Sequence, residues 1–293
     1  MPYNFDEKFN NYLGLFENGL NNFINSLEEQ NSSTLKEAVS YSILGGGKRL
    51  RPILALATAE ILGVDFDKVL PLCIALELIQ SYSLVHDDLP AMDNDDYRRG
   101  KLSTHKKFGE AMGILAGDAM LNLAFESALN SSHIDQNYLE ALRLVFSYSG
   151  YNGMVYGQVL DLENEKNSNL NEKTLRDIYI NKTVKMFKAP LVAVSLIASK
   201  KHFDELNEYG ECLGLAFQIQ DDILDVEGSF ETIGKTPNKD QNCDKFTSIK
   251  VLGIDGAKNL VKKLFENAIN AIKRIDNNQF LIDFAKKLNK RKY

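Results

Sequence analysis

Histidine and cysteine are scarce in this chain of 293 residues, which has four of the first and three of the second. None of the histidines has a glutamate three residues before it, so the Glu-x-x-His pairs of ferritin-like carboxylate proteins are missing. Cys73, Cys212 and Cys243 are far apart, odd in number and without CxxC spacing, so they read as reduced thiols of a cytoplasmic protein. Basic residues are not in excess: 34 Lys and Arg against 40 Asp and Glu leave a net charge of −6 and no footprint for nucleic acid. The start, MPYNFDEKFNNYLG, has neither the basic end nor the apolar centre of a signal peptide. Long apolar runs are also lacking. Ala189 to Ala198 is too short to span a bilayer, so no integral membrane segment is expected.

With only six prolines, the chain repeats apolar residues at helical spacing almost throughout, and no run has the period of a strand. Phe9, Tyr12, Leu13, Phe16, Leu20, Phe23, Ile24 and Leu27 form one face of a helix over 5–27. Thr34 with Glu37 reads as a capping box, and Gly45 to Gly47 ends the helix it opens. Pro52 and Pro71 each read as a helix start, the second helix leading into an acidic stretch. Further helices are expected over 111–129, about 174–199 and about 203–226, and Glu227 to Phe246 is the longest stretch without periodicity. These features predict one all-α domain over 1–293, a bundle of ten or more helices around a deep central cavity.

Glu77 to Gly100 reads ELIQSYSLVHDDLPAMDNDDYRRG, an apolar helix ending in Asp87, Asp88, Asp93, Asp95 and Asp96. Like charges so close raise one another's pKa values unless a cation lies between them. Oxygen ligands of this kind suit Mg²⁺, which takes one or two carboxylates and keeps positions for substrate phosphates. Taken alone, the run is equally readable as a solvated turn. A second apolar helix turns acidic at Phe217 to Asp225, FQIQDDILD, where Asp221 and Asp225 share a face and Asp222 lies about a turn from Asp225. Pro90 must interrupt the first helix between Asp87 and Asp93. The expectation is two carboxylate sites at helix ends that face each other.

DDLPAMD at 87–93 and DDILD at 221–225 resemble the two aspartate-rich motifs of the trans-isoprenyl diphosphate synthases. GGGKRLRP at 45–52, RRG at 98–100, KT at 182–183, FQ at 217–218 and GK at 234–235 follow in that family's order. The resemblance covers nearly the whole chain. It implies head-to-tail condensation of isopentenyl diphosphate with an allylic diphosphate, in a homodimer that uses three Mg²⁺ ions. It implies metal ligation by Asp87, Asp93 and Asp221 with help from neighbours, among them Asp88, Asp222 and Asp225. By the same resemblance Lys48, Arg51, Gln80 and Arg99 bind isopentenyl diphosphate, and Arg98 binds the allylic diphosphate. Lys182, Lys235 and Lys245 would hold the leaving diphosphate. The Lys182 carbonyl, Thr183 hydroxyl and Gln218 amide would face the allylic cation.

Residue chemistry agrees in part. Glycines at 45–47 let the backbone approach an anion, beside Lys48 and Arg51, although the loop lacks the GxxxxGK[ST] spacing of a nucleotide site. A helix C-cap with surface charges is the plainer reading of that loop by itself. The departing diphosphate can take the final proton, so few histidines are needed. His86 is expected as a structural partner at the helix end, His105 at the surface or behind the site, and Lys290-Arg291-Lys292 as a solvated tail.

The chain departs from the family at Lys245-Phe246-Thr247-Ser248-Ile249, where KxTYP is common, at Gln80, where many bacterial members carry His, and at Leu102, where proline is common. Both acidic clusters are kept, which argues against a terpene cyclase and against a non-catalytic partner subunit. Tyr82 lies five residues before Asp87, about 7.5 Å along a helix and roughly 140° round it. Spacing therefore leaves it open whether Tyr82 faces the pocket or packs as core. An aromatic there resembles the floor that stops chain growth in this family. With the two extra residues of DDLPAMD, this implies the C15 product farnesyl diphosphate, with C20 geranylgeranyl diphosphate as the alternative.

Overall fold

The computed structural model describes residues 3–28, 34–131, 133–164, 171–227 and 247–291. The fold is all-α, with a single two-stranded exception among the described residues, and the chain divides into two compact units. The first comprises residues 1–56 and 65–134, the second residues 57–64 and 135–293.

In the first unit α1 (Phe5–Ser26) is capped by the Asn4 side chain and buries Tyr12, Phe16, Leu20 and Ile24, a stripe with a four-residue period. α2 (Thr34–Leu44) has Glu37 in its first turn. α3 (Leu50–Leu62), which belongs to this unit only as far as Leu56, starts two residues before Pro52, because a proline in the first turn forfeits no helical hydrogen bond. α4 (Phe66–Asp87) extends back beyond Pro71, which sits inside the helix rather than opening it. Its most apolar 18 residues have a mean hydropathy of 1.4, long and apolar enough by composition to cross a membrane. Yet 72% of that window is buried, and α4 is the core of this unit. Across it packs α6 (Glu110–Leu129), whose buried face is small residues, Gly113, Ala116, Gly117, Ala124, Ser127 and Ala128, with Met120 among them. Small side chains let the two backbones approach closely, so the large residues of α4 fill the seam. Between them lie the strands β1 (Tyr97–Arg98) and β2 (Lys101–Leu102) and the short α5 (Thr104–Phe108). Strands of two residues are too short to show alternation, so nothing in the sequence pattern marks them.

The second unit holds α7 (Gln136–Ser149), α8 (Met154–Asn164), α9 (Glu172–Tyr179), a π-helical turn at Ile180–Val184, α10 (Lys185–Ile197) and α11 (Phe203–Glu227). α12 (Ser248–Ala271), kinked at Gly253, and α13 (Gln279–Asn289) complete it. The expected helix over 174–199 is thus three segments, its middle turn widened. Gly210 and Gly214, one turn apart on α11, bring that helix against the 184–188 segment. A Cβ on Gly214 would lie 2.9 Å from Val184 Cα, and one on Gly210 2.9 Å from Lys188 Cα. Phe187 and Phe217 meet in this seam with centroids 4.7 Å apart and planes tilted by 44°, and Tyr209 donates to the Leu281 carbonyl at 2.8 Å, tying α13 to α11.

Candidate active site

α4 stops where Pro90 forces it to. The residue before a proline is driven out of the helical region, and beyond it the chain folds back on the helix end. Asp93 N–H donates to the Asp87 carbonyl at 2.8 Å, Asn94 N–H to Leu89 at 3.1 Å and Asp95 N–H to Asp88 at 3.1 Å. Asp87 and Asp93, six apart in sequence, therefore become neighbours in one turn, both half-buried. The other three aspartates of the run have different work. Asp88 is buried and takes both Arg98 Nε, at 3.0 and 3.3 Å, and Arg98 Nη2. Burial pushes the Asp88 pKa up, and Arg98 opposes it. Asp95 lies 3.7 Å from Arg98, and Asp96 pairs with Lys106 at 2.8 Å.

Arg98 and Arg99 diverge, as their adjacency predicts. Arg99 (φ 56°) and Gly100 (φ 75°) form the turn between β1 and β2, with the two positive φ values of a type I′ hairpin. A non-glycine residue in that region costs about 1 kcal/mol or more, and here it carries Arg99 to the basic loop. Its guanidinium donates to the Gly46 carbonyl and lies over Gly47, where a Cβ would be 2.9 Å from Arg99 Cζ. Gly47 is glycine because a side chain would displace Arg99.

The basic loop has its own anchor, which the motifs do not announce. Arg49 (φ 47°) turns inward, 2% exposed, and donates to Glu17 at 2.8 Å, Glu77 at 2.7 Å and the Ile43 carbonyl at 2.7 Å. Glu77 stands alone in the apolar run LCIALELIQ, and that isolation is the signal which could have found it. With Arg49 buried, Lys48 is exposed and Arg51 half-buried. Burial pushes the Arg51 pKa down to about 10, with Glu77 opposing and Arg99 adding to the fall. Arg99 is lowered by burial too, and by Arg49 and Arg98. Cations thus crowd around a carboxylate that Arg49 already occupies, which leaves the loop an anion receptor. Gln80 lies on α4 one turn beyond Glu77 and two turns before Asp87, half-buried. Tyr82 is buried, and burial with help from the Asp87 carboxylate pushes its phenol up to about 12. The phenol is therefore within electrostatic reach of the acidic turn. His105, expected at the surface or behind the site, is not at the surface: it is 4% exposed, with Nδ1 3.0 Å from Ser103 Oγ.

In the second unit the close approach of α11 sets Gln218 against the π turn. Thr183 Oγ1 donates to Gln218 Oε1 at 2.6 Å, and Gln218 Nε2 donates to Asp222 Oδ1 at 3.3 Å. Asp222 is buried and also accepts from the Tyr179 hydroxyl and from Ser248 N–H and Oγ, at 2.9 and 2.7 Å. Burial pushes its pKa up to about 6 against these donors. Asp222 thus fixes the amide rather than facing solvent. Lys182 Nζ is 2.5 Å from Asp161 on α8, where Gly157 admits the π turn: a Cβ there would lie 2.2 Å from Lys182 N. A π turn removes a carbonyl from the regular ladder, and such turns recur at functional sites. Asp221 is half-buried and paired with Arg291, whose guanidinium stacks on Phe217 at 4.1 Å. The expected solvated tail is therefore docked, at least to Arg291. Asp225 is buried. Lys235 and Lys245 lie outside the described residues.

Residues 32–281 match the family described as polyprenyl synthetase. The chain belongs to that family. A farnesyl diphosphate synthase of Micrococcus luteus is 48% identical over 265 residues, covering 88% of this chain and 90% of the relative. A crystal structure of a geranyltransferase from Legionella pneumophila superposes with a TM-score of 0.87 at 32% identity, over 98% of this chain and 97% of that one. One from Helicobacter pylori, complexed with magnesium and isoprenyl diphosphate, superposes with a TM-score of 0.81 at 29% identity, over 94% and 96% of the two chains. In this polyprenyl synthetase, no three Asp, Glu, His or Cys among the described residues converge as a closed metal cage. Asp87 with Asp93 in one unit, and Asp221 in the other, instead offer one or two hard oxygen ligands at a time. Taken within its own unit, each is the kind of donor that suits Mg²⁺ shared with a substrate's phosphates.

Proposed function

We propose that this polyprenyl synthetase joins isopentenyl diphosphate head-to-tail to dimethylallyl or geranyl diphosphate and releases farnesyl diphosphate, the whole chain 1–293 acting as one synthase domain. What carries the reading is the seating of Arg99 on Gly46 and Gly47, which makes the anion-receptive loop and the acidic turn one piece. Lys48, Arg51, Gln80 and Arg99 bind the isopentenyl diphosphate, and Arg98, steadied by Asp88, contacts the allylic diphosphate. Asp87, Asp93 and Asp221 hold Mg²⁺, three ions in all, with Asp88, Asp222 and Asp225 behind them. Mg²⁺ when bound neutralises the charge that gathers on the diphosphate as the allylic C–O bond breaks. Lys182, Lys235 and Lys245 hold that leaving group.

Thr183 and Gln218 supply the environment of the allylic cation. An ionised carboxylate only accepts hydrogen bonds, so Asp222 fixes the Gln218 NH₂ toward itself and the amide oxygen toward Thr183. The Thr183 proton is then committed to Gln218, and the lone pairs of its oxygen remain for the cation. The isopentenyl double bond attacks the cation, and the departed diphosphate takes the proton lost on elimination. The buried and half-buried thiols Cys73 and Cys212 are free, which supports a reducing, cytoplasmic setting. A homodimer is supported by four exposed apolar side chains on one side of α6, Ile114, Leu115, Phe125 and Leu129.

The test supplies isopentenyl diphosphate, each allylic starter and Mg²⁺ and identifies the product. Farnesyl diphosphate is expected, with turnover in Asp87→Ala and in Asp221→Ala lower by roughly three orders of magnitude or more, about 4 kcal/mol of lost transition-state stabilisation. Ordinary turnover in either folded variant rules the metal-site assignment out.

A further inference from the structure

Tyr82 does not stand alone at its place on α4. One turn further along, His86 sets its ring edge-on to the Tyr82 ring, with centroids 5.9 Å apart and planes at 78°. His86 is itself held from α6. Its Nε2 lies 3.0 Å from the Ile114 carbonyl, and a carbonyl only accepts, so Nε2 carries the proton and donates. The imidazole fills the place a side chain of residue 117 would take. A Cβ on Gly117 would fall 2.0 Å from His86 Nε2 and 2.3 Å from Cδ2. A side chain at residue 117 is therefore accommodated only by moving the imidazole and giving up its hydrogen bond. Carbonyl, glycine notch and aromatic edge therefore fix one position for the His86 ring, and that ring limits where Tyr82 can turn.

We propose that His86, seated in the Gly117 notch of α6, is a positioning residue for product length, holding Tyr82 in the orientation that closes the product pocket. This rests on the reading of Tyr82 as the floor. Histidine at this place needs no acid–base role: a planar ring with one N–H, short enough to fit over a glycine, meets the requirement. Without it Tyr82 keeps its burial on α4 but gains an alternative rotamer, and the growing chain has room for another five carbons in the molecules that adopt it.

The test compares product distributions at matched conversion and a fixed ratio of substrates. Tyr82→Ala is expected to lengthen products to C20 or beyond; if it makes only C15, the floor lies elsewhere and the reading beneath this inference falls. With Tyr82→Ala lengthening, His86→Ala is expected to raise the C20-to-C15 ratio roughly two- to tenfold, the population shift of one lost aromatic contact. The double variant is expected to match Tyr82→Ala alone, since His86 acts only through that ring. An unchanged C15 product from His86→Ala, or a double variant with products longer than those of Tyr82→Ala, overturns the proposal. Gly117→Ala disturbs the same ring from α6 and serves should His86→Ala fold poorly. A changed C20-to-C15 ratio is expected, and an unchanged one overturns the proposal.

Discussion

A carboxylate buried beneath a helix surface is costly unless donors surround it, and Asp222 gathers four of them. Two come from Ser248 and one from Tyr179, 26 and 43 residues away in sequence, so the side chain ties α12, α9 and α11 together while it orients Gln218. Removing it strands three of the donors at once and leaves Ser248 N–H only the Tyr179 hydroxyl, 2.9 Å away. Asp222→Ala is expected to lower unfolding stability by about 3–5 kcal/mol and to reduce kcat together with kcat/KM, because the lost contact matters most as the cation forms. Tyr179→Phe withdraws a single donor and is expected to cost about 1 kcal/mol with Gln218 still in place. Urea titration and steady-state kinetics on the two variants separate the effects. A folded Asp222→Ala enzyme with unaltered kcat shows that the Gln218 amide is oriented by something else.

Elements, rather than residues, deliver Lys182 and Thr183, and the deciding contact is a backbone one. Gly157 of α8 leaves no gap over the π turn, so Gly157→Ala must push that turn away by more than an ångström. Misplacement on this scale costs about a hundredfold in rate where reacting groups are held by geometry. Gly157→Ala is expected to lower kcat by roughly that factor, with little change in the KM for isopentenyl diphosphate, whose proposed ligands lie on the basic loop, the start of α3, α4 and the β1–β2 turn. A kcat within twofold of the parent would show that the π turn tolerates displacement. The sequence announces only part of this arrangement. Asp87, Asp93 and Asp221 stand out because packing gives no reason for such charge on apolar helices, and the helices themselves follow from periodicity. The π turn leaves no comparable mark, since INKTV continues a helical pattern without a break. Asp161 with Lys182 and Arg291 with Asp221 pair across 21 and 70 residues, and no local spacing encodes such partners. Pro71 misleads in the other direction: proline early in a helix gives a position to within about a turn, not a boundary.

Assembly is the question left to the molecule as a whole. α6 turns its small residues inward to α4, and its outer side keeps Ile114, Leu115, Phe125 and Leu129 between 40% and 53% exposed. At 100° per residue these four positions fall within about 100° of one another, two apolar pairs on one side of the helix with the exposed Asp118 and Asn122 between them. A two-fold dimer places each of them at the interface twice. Covering an exposed leucine is worth about 1.5–3 kcal/mol when complete. Two leucines from each protomer, half covered, therefore contribute about 3–6 kcal/mol, a large share of the roughly 8 kcal/mol that a micromolar dimer needs, with Ile114 and Phe125 adding to it. Leu115→Glu with Leu129→Glu removes this contribution and brings four carboxylates together. Sedimentation velocity is expected to show a dimer for the parent chain and a monomer for the double variant, which keeps its helical circular dichroism because neither side chain is part of the core. A parent chain that sediments as a monomer would refute the dimer, and a double variant that still sediments as a dimer would move the interface off α6.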